Sequence, residues 1–390
     1  EGSRAVAEII KLCKPGVISA YPITPQTHIV EELARMVADG ELNAQFVNVE
    51  SEHSAASVVL GAVATGVRAF TATSSQGLLY MAEVLFNISG LRLPLVMTCA
   101  NRAISAPINI WNDEQDSVSL RDSGWIQLYA ENIQEAADLH LVGYRLSEDK
   151  SIMLPVMVCM DGFILTHGME TVDIPRQEEV DKFLPGYQPL YKLDPAQPLT
   201  MGLLADPDYY LETRFAIQET FKDVLKMIPK LNEEFKNHFG RDYKDGLIEE
   251  YCIKDAEKVI VAMGSVCGTI KEVVDAQRAK GKKAGLLKLI SYRPFPYAKV
   301  YDALKDVPRV AVLDKAVSLG AYAPLAIEVK ATFSGKKKFP KVVSSFVAGL
   351  GGRDITLESV KEIFSKLTQK EVNLEFIDLK PELLKEEYGE

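Results

Sequence analysis

The chain has 390 residues, of which 47% are apolar and 25% charged, and its net charge at pH 7 is −10. That length suits two globular domains with ample core, and the acidic balance, with no dense Lys/Arg stripe interleaved with aromatics, argues against a nucleic-acid partner. No apolar run approaches the roughly 18 residues of a membrane span. The opening EGSRAVAEII lacks the basic and apolar regions of a secretory signal. Cys13, Cys99, Cys159, Cys252 and Cys267 match no disulfide, zinc or iron–sulfur spacing. A cytoplasmic protein that ligates no metal itself is the expectation.

In chain order, VISAY at 17–21 predicts a strand and HIVEELARMVADG at 28–40 an amphipathic helix ending at Gly40. A strand follows at 44–50, a small-residue helix at 53–65, a strand at 68–74, a helix at 75–90 and a buried strand at 93–99. Beyond a long loop, 130–149 predicts a helix and 154–161 a strand. This β-α-β rhythm implies a mostly parallel sheet with helices on both faces. Residues 172–207 are rich in proline and weakly periodic, and 208–240 is a long amphipathic helix with Pro229 as a kink point. A second α/β unit begins near 250, with strands at 258–265, 283–290, 309–315 and 341–349 and helices at 269–281 and 356–369. The expected domains are 1–240 and 248–372, followed by a charged tail at 373–390. GSVCGT at 264–269 is neither G-x-G-x-x-G nor a P-loop and reads as a plain strand-to-helix turn. GKKKFPK at 335–341 reads as a solvated turn.

Three segments carry chemistry. In AYPITPQT at 20–27, Pro22 and Pro25 fix φ and remove donors, so Thr24 sits on a stiff turn after a strand. In VNVESEHSAA at 47–56, Glu50 and Glu52 share a face if the strand continues that far. A carboxylate where an apolar strand meets a helix suits proton transfer, although an E-x-E pair also serves as a helix cap, and His53 beside it reads as a structural hydrogen bond. In CANRAISAPINIWNDEQDS at 99–117, Arg102 follows a strand's carboxyl end, where open α/β sheets place ligands. That loop is too long and too apolar, with Ile108, Ile110 and Trp111, to be a simple connector.

YPITP at 21–25, VESEHSA at 49–55, FTATSSQGL at 70–78, NRAISAPINIWNDEQDS at 101–117, RDSGWIQLYAEN at 121–132 and DGFILTH at 161–167 together resemble the alpha subunits of pyruvate:ferredoxin oxidoreductases. MGSVCGT, YRPFP at 292–296, VLDK at 312–315 and GLGGRDIT at 349–356 extend the resemblance in register through the second half. It implies an α/β chain: a pyrimidine-type thiamine diphosphate-binding parallel-sheet domain, then a transketolase C-terminal-like domain. It also implies beta, gamma and delta partner subunits, ferredoxin, coenzyme A and a 2-oxoacid substrate. Mg²⁺ and the [4Fe-4S] clusters would lie in the partners, in keeping with the lack of cluster cysteines and of an acidic diphosphate motif here. By position, Glu52 matches the glutamate that bonds the pyrimidine N1′, and Arg102 and Thr24 match residues that hold the substrate. Ile108 and Ile110 would form a dry wall of the cofactor pocket. SAPINIWND is closer to pyruvate-type chains, whereas YPITPQT also suits the branched-chain type that uses 2-oxoisovalerate. A lipoamide-linked thiamine enzyme and a non-catalytic scaffolding subunit are the remaining alternatives.

Overall fold

The computed structural model describes residues 1–388, which form two compact units. The first comprises Glu1–Glu249, Met263–Ser265 and Leu289–Pro296, and the second the remaining described residues. Thirteen strands occur among them: β1 (Val17–Ser19), β2 (Gln45–Val47), β3 (Ala69–Thr73), β4 (Val96–Asn101), β5 (Ile126–Tyr129), β6 (Val156–Asp161), β7 (Ile248–Tyr251), β8 (Lys258–Met263), β9 (Ala284–Leu289), β10 (Ser291–Arg293), β11 (Arg309–Asp314), β12 (Val342–Val347) and β13 (Glu375–Phe376).

The first unit is built on a seven-stranded sheet in the order β10-β5-β6-β4-β3-β1-β2. Every pairing is parallel except β10 with β5. Every residue of β3, β4 and β6 is buried, which is why these segments read as continuous apolar runs rather than alternating ones. Strand order reverses at β1, with β2 on one side and β3 on the other, so the carboxyl ends of β1 and β3 flank a topological switch point. Helix Gly2–Cys13, which the sequence reading left unassigned, buries Val6, Ile9, Ile10 and Cys13. The helix expected at 75–90 is two, Ser75–Tyr80 and Ala82–Gly90, meeting at Met81. The long helix runs unbroken from Pro207 to Phe239, through Pro229.

Two buried polar contacts fix helices and loops to this sheet. His140, in helix Ile133–Ser147, holds Thr98 Oγ1 of β4 at 2.6 Å on Nε2 and the Ala136 carbonyl at 2.7 Å on Nδ1. A carbonyl only accepts, so Nδ1 carries the proton and Nε2 accepts from the threonine. Burial holds this imidazole at a pKa of about 4. Arg68 forks onto Glu148 at 2.6 and 2.7 Å and also donates to the carbonyls of Cys13 and Pro185.

The second unit carries a six-stranded sheet, β13-β12-β11-β8-β9-β7. β11 is parallel to β8 and β12, and β12 to β13. At the end of β11, buried Asp314 accepts from the main-chain N–H groups of Leu325 and Ala326 at 2.7 and 3.2 Å, capping helix Pro324–Thr332. Desolvation pushes its carboxyl up to about 7. The tail from 373 contains β13 and helix Pro381–Tyr388.

Candidate active site

The three sequence-derived segments meet at the carboxyl edge of the first sheet. β2 ends at Val47, so Glu50 and Glu52 do not share a strand face. Ser51 instead adopts extended backbone and its hydroxyl accepts the Ser54 N–H at 3.2 Å. This cap makes Glu52 the first residue of helix Glu52–Ala64, where a carboxylate also favours the positive helix end. Glu50 points to solvent and accepts from Ser54 Oγ, a hydrogen bond that holds its carboxyl below the usual range. His53 lies beside Tyr80, with its Nε2 3.9 Å from exposed Glu83.

Glu52 is only 9% exposed, and its side chain makes no hydrogen bond or ion pair among the described residues. It packs over Gly77: a Cβ there would lie 2.7 Å from Glu52 Oε1 and 2.8 Å from its Cγ. The same Cβ would lie 2.7 Å from Thr73 Oγ1. The buried hydroxyls of Thr73 and Ser74 also lack partners among the described residues. A desolvated carboxylate beside unpartnered hydroxyls is costly unless an outside donor satisfies them. A nitrogen-rich ring that presents N–H groups meets that need.

Arg102 follows β4 directly and is 7% exposed. Its Nε donates to the Asn109 carbonyl at 3.1 Å and one terminal nitrogen to the Thr24 carbonyl at 2.9 Å. The turn that carries exposed Thr24 and the loop after β4 are therefore tied together through the guanidinium. Among the described residues, no carboxylate lies within ion-pair distance of that guanidinium. Desolvation holds the arginine below its ordinary pKa, against the opposing attraction of Asp116. Ala103 N–H bonds to the Trp111 carbonyl at 3.0 Å and closes the loop at 103–111. Ile108 is 79% exposed, Trp111 is 54% exposed and Ile110 is half-buried, so the apolar side chains of this loop face outward on the chain alone.

Sequence reasoning passed over Asp116 and Asp161. Asp116 is fully buried and accepts from Ser75 N and Asn101 Nδ2 at 2.8 Å, Ser117 N at 2.8 Å and Arg102 N at 3.0 Å. Its only signal was an acid within the NDEQDS stretch, which the structure places in the first turn of a short helix, Gln115–Ser119. Asp161, at the end of β6, accepts from the Ser265 main-chain N–H at 2.9 Å and from the Ser265 hydroxyl, and from Asn112 Nδ2 at 3.1 Å. In the GSVCGT turn, a protein carboxylate thus already engages the main chain at Ser265, as a phosphate would.

A doubly wound α/β domain whose ligand edge presents one buried acid and one buried guanidinium defines a small-molecule-binding enzyme domain. The family model "Pyruvate flavodoxin/ferredoxin oxidoreductase, thiamine diP-bdg" matches residues 8–233, and "Pyruvate:ferredoxin oxidoreductase core domain II" matches residues 256–360. This chain belongs to the pyruvate:ferredoxin oxidoreductase family. It is 51% identical to pyruvate synthase subunit PorA of Methanothermobacter thermautotrophicus, over 97% of both chains. It is 47% identical to the Pyrococcus furiosus PorA, over 99% of this chain and 98% of the relative. The ketoisovalerate oxidoreductase subunit VorA of Pyrococcus horikoshii is 43% identical over 93% of this chain and 91% of its own. In fold, the chain is similar to a 2-oxoglutarate:ferredoxin oxidoreductase from Magnetococcus marinus, with a TM-score of 0.67 at 20% identity, covering 94% of this chain and 64% of that one. A split-gene transketolase matches with a TM-score of 0.56 at 12% identity, over 94% and 96%.

Proposed function

We propose that this chain is the alpha subunit of a thiamine diphosphate-dependent pyruvate:ferredoxin oxidoreductase, which with partner subunits converts pyruvate, coenzyme A and oxidised ferredoxin reversibly to acetyl-CoA, CO₂ and reduced ferredoxin. Residues 1–240 are the pyrimidine-type thiamine diphosphate-binding domain and 248–372 the transketolase C-terminal-like domain. The observation that carries the reading is the pairing, on one sheet edge, of a buried carboxylate without a partner among the described residues and a buried guanidinium with no carboxylate of those residues in reach. The bound thiamine cofactor supplies the nucleophile and electron sink for cleaving the carbon–carbon bond beside the keto group.

In this reading, Glu52 accepts the N1′ hydrogen bond of the cofactor's pyrimidine and holds a proton there, favouring the tautomer with a basic exocyclic nitrogen. Thr73 and Ser74 offer further hydroxyls on the same side. Arg102 receives the substrate carboxylate on its remaining N–H groups. Its bonds to the Asn109 and Thr24 carbonyls fix the plane of the fork beforehand, so the keto carbon is oriented when the carboxylate docks. The Thr24 hydroxyl donates to the same substrate. Ile108 and Ile110, outward on this chain, form the dry wall only once a partner covers them. The beta chain holds the diphosphate, Mg²⁺ and a proximal [4Fe-4S] cluster, the delta chain the ferredoxin-like clusters, and the gamma chain serves coenzyme A. The complex works in the cytoplasm, and no helix among the described residues is long and apolar enough to cross a membrane.

The test is the purified complex assayed with pyruvate, 2-oxoisovalerate and 2-oxoglutarate, reading coenzyme A-dependent viologen reduction. Pyruvate should give the highest kcat/KM by at least about tenfold. A preference for 2-oxoisovalerate would reassign the chain to the branched-chain enzyme, and no turnover with any of the three would support a scaffolding role.

A further inference from the structure

We propose that Asp116 is the positioning residue that holds Arg102 in register with the substrate, a role that rests on the substrate-binding function assigned to Arg102 above. One oxygen of Asp116, Oδ2, receives two main-chain N–H groups, from Ser75 at 2.8 Å and Arg102 at 3.0 Å. The loops after β3 and β4 are thus pinned to each other through a single atom. The other oxygen receives Asn101 Nδ2 and Ser117 N, both at 2.8 Å. The Cys99 thiol also faces Oδ2 at 3.7 Å, and all five partners donate, so an ionised carboxylate, which is acceptor-only, satisfies them together. Burial holds the Asp116 carboxyl above the ordinary carboxylate range, and these hydrogen bonds offset only part of that rise.

The loop after β3 needs such an anchor. Ser75 has φ +52°, a left-handed conformation that non-glycine residues adopt at a cost. Its hydroxyl also donates to the Ala103 carbonyl, one residue past Arg102. Two residues further on is Gly77, the platform beneath Glu52. Asp116 and Ser75 together therefore place the main chain of Arg102 relative to that platform, while the Thr24 and Asn109 carbonyls place its guanidinium. In Asp116→Asn the shape is kept, but an NH₂ group must face at least one of the N–H donors. The arginine main chain is then displaced rather than removed.

The assembled complex carries the test, as a cycle of wild type, Asp116→Asn, Arg102→Lys and the double variant. Arg102→Lys keeps charge but loses the planar fork, and should lower kcat/KM for pyruvate about ten- to 150-fold. Asp116→Asn should lower it about ten- to 100-fold, mainly through KM, because a misplaced arginine weakens carboxylate docking. If Asp116 acts through Arg102, the double variant should be no more than about threefold worse than the worse single variant. Losses that multiply would overturn the proposal and make Asp116 a general structural anchor. If Asp116→Asn does not assemble, Asn101→Ser replaces it. That change removes one donor and leaves the charge, and its smaller loss should show the same non-additivity. An unchanged pyruvate KM and kcat in Arg102→Lys alone would overturn the substrate role of Arg102 itself, and is visible before any double variant is made.

Discussion

At the scale of single residues, the decisive contrast is between Glu50 and Glu52. Two residues apart, one is a solvated acceptor for Ser54, and the other is desolvated with an open coordination sphere. The proposed role of Glu52 predicts that Glu52→Gln leaves the fold intact, because the amide is nearly isosteric. Turnover should fall by orders of magnitude, since an amide cannot stabilise a protonated N1′. NMR of C2–H exchange on cofactor bound to the complex checks this directly, and exchange at the wild-type rate would remove Glu52 from the mechanism. The positions of Glu52 at a helix start and of Arg102 at a strand end were legible from the alternation of strand and helix alone. Asp116 was not, because three of its partners are main-chain N–H groups, one of them 41 residues away in sequence. A carboxylate that serves mainly backbone leaves little pattern of complementary side chains to read.

At the scale of elements, the sequence reading placed strands over β1 to β4, β6, β8, β9, β11 and β12, and three of these, β3, β4 and β6, are buried along their whole length. The ones missed, β5, β7, β10 and β13, are four residues long or fewer and stand outside the regular alternation of strand and helix that revealed the equally short β1 and β2. β10 also joins the first sheet from far along the chain and antiparallel, which no local signal announces. Helix Ile133–Ser147 was legible, but the bond from its His140 to β4 was not, and that bond has a measurable consequence. The imidazole is held at about 4 when folded, against 6.5 as its ordinary value. A depressed pKa means that the unfolded chain binds the proton more readily. The resulting stability is full above about pH 6.5 and is lost as pH falls toward 4. The loss should be about 3 kcal/mol across that window. Denaturant unfolding of the first unit at pH 7, 5.5 and 4 should show it, and His140→Leu should flatten the slope. An unchanged slope in that variant would mean that other groups govern acid sensitivity.

At the scale of the whole molecule, each unit buries a group displaced from its ordinary titration, His140 in the first and Asp314 in the second. Asp314 in the second unit is pushed up to about 7, so its contribution to stability is full below its ordinary value of 3.8 and is lost as pH rises toward 7. The proposed division of labour between subunits is also a whole-molecule property. The sequence contains no acidic diphosphate–Mg²⁺ motif, so the isolated chain should bind thiamine diphosphate weakly and turn over nothing. Calorimetry of the isolated chain with the cofactor and Mg²⁺ measures this, and micromolar affinity without a partner would overturn the division.

The brace on Arg102 is made of carbonyls, and carbonyls are indifferent to mutation. Drift at positions 24 and 109 can change the side chains while the guanidinium keeps its acceptors, provided that the turn keeps its path. Natural variation in this loop therefore reports on what touches the substrate and says little about what holds the arginine. It also makes one substitution unusually clean. Thr24→Val deletes the hydroxyl but leaves the carbonyl that Arg102 uses, so any loss belongs to the hydroxyl alone. Pyruvate kcat/KM should drop about three- to tenfold, the worth of one neutral hydrogen bond, while the melting temperature stays within a degree or two. A loss as large as that from Arg102→Lys would show instead that the carbonyl had moved with the side chain.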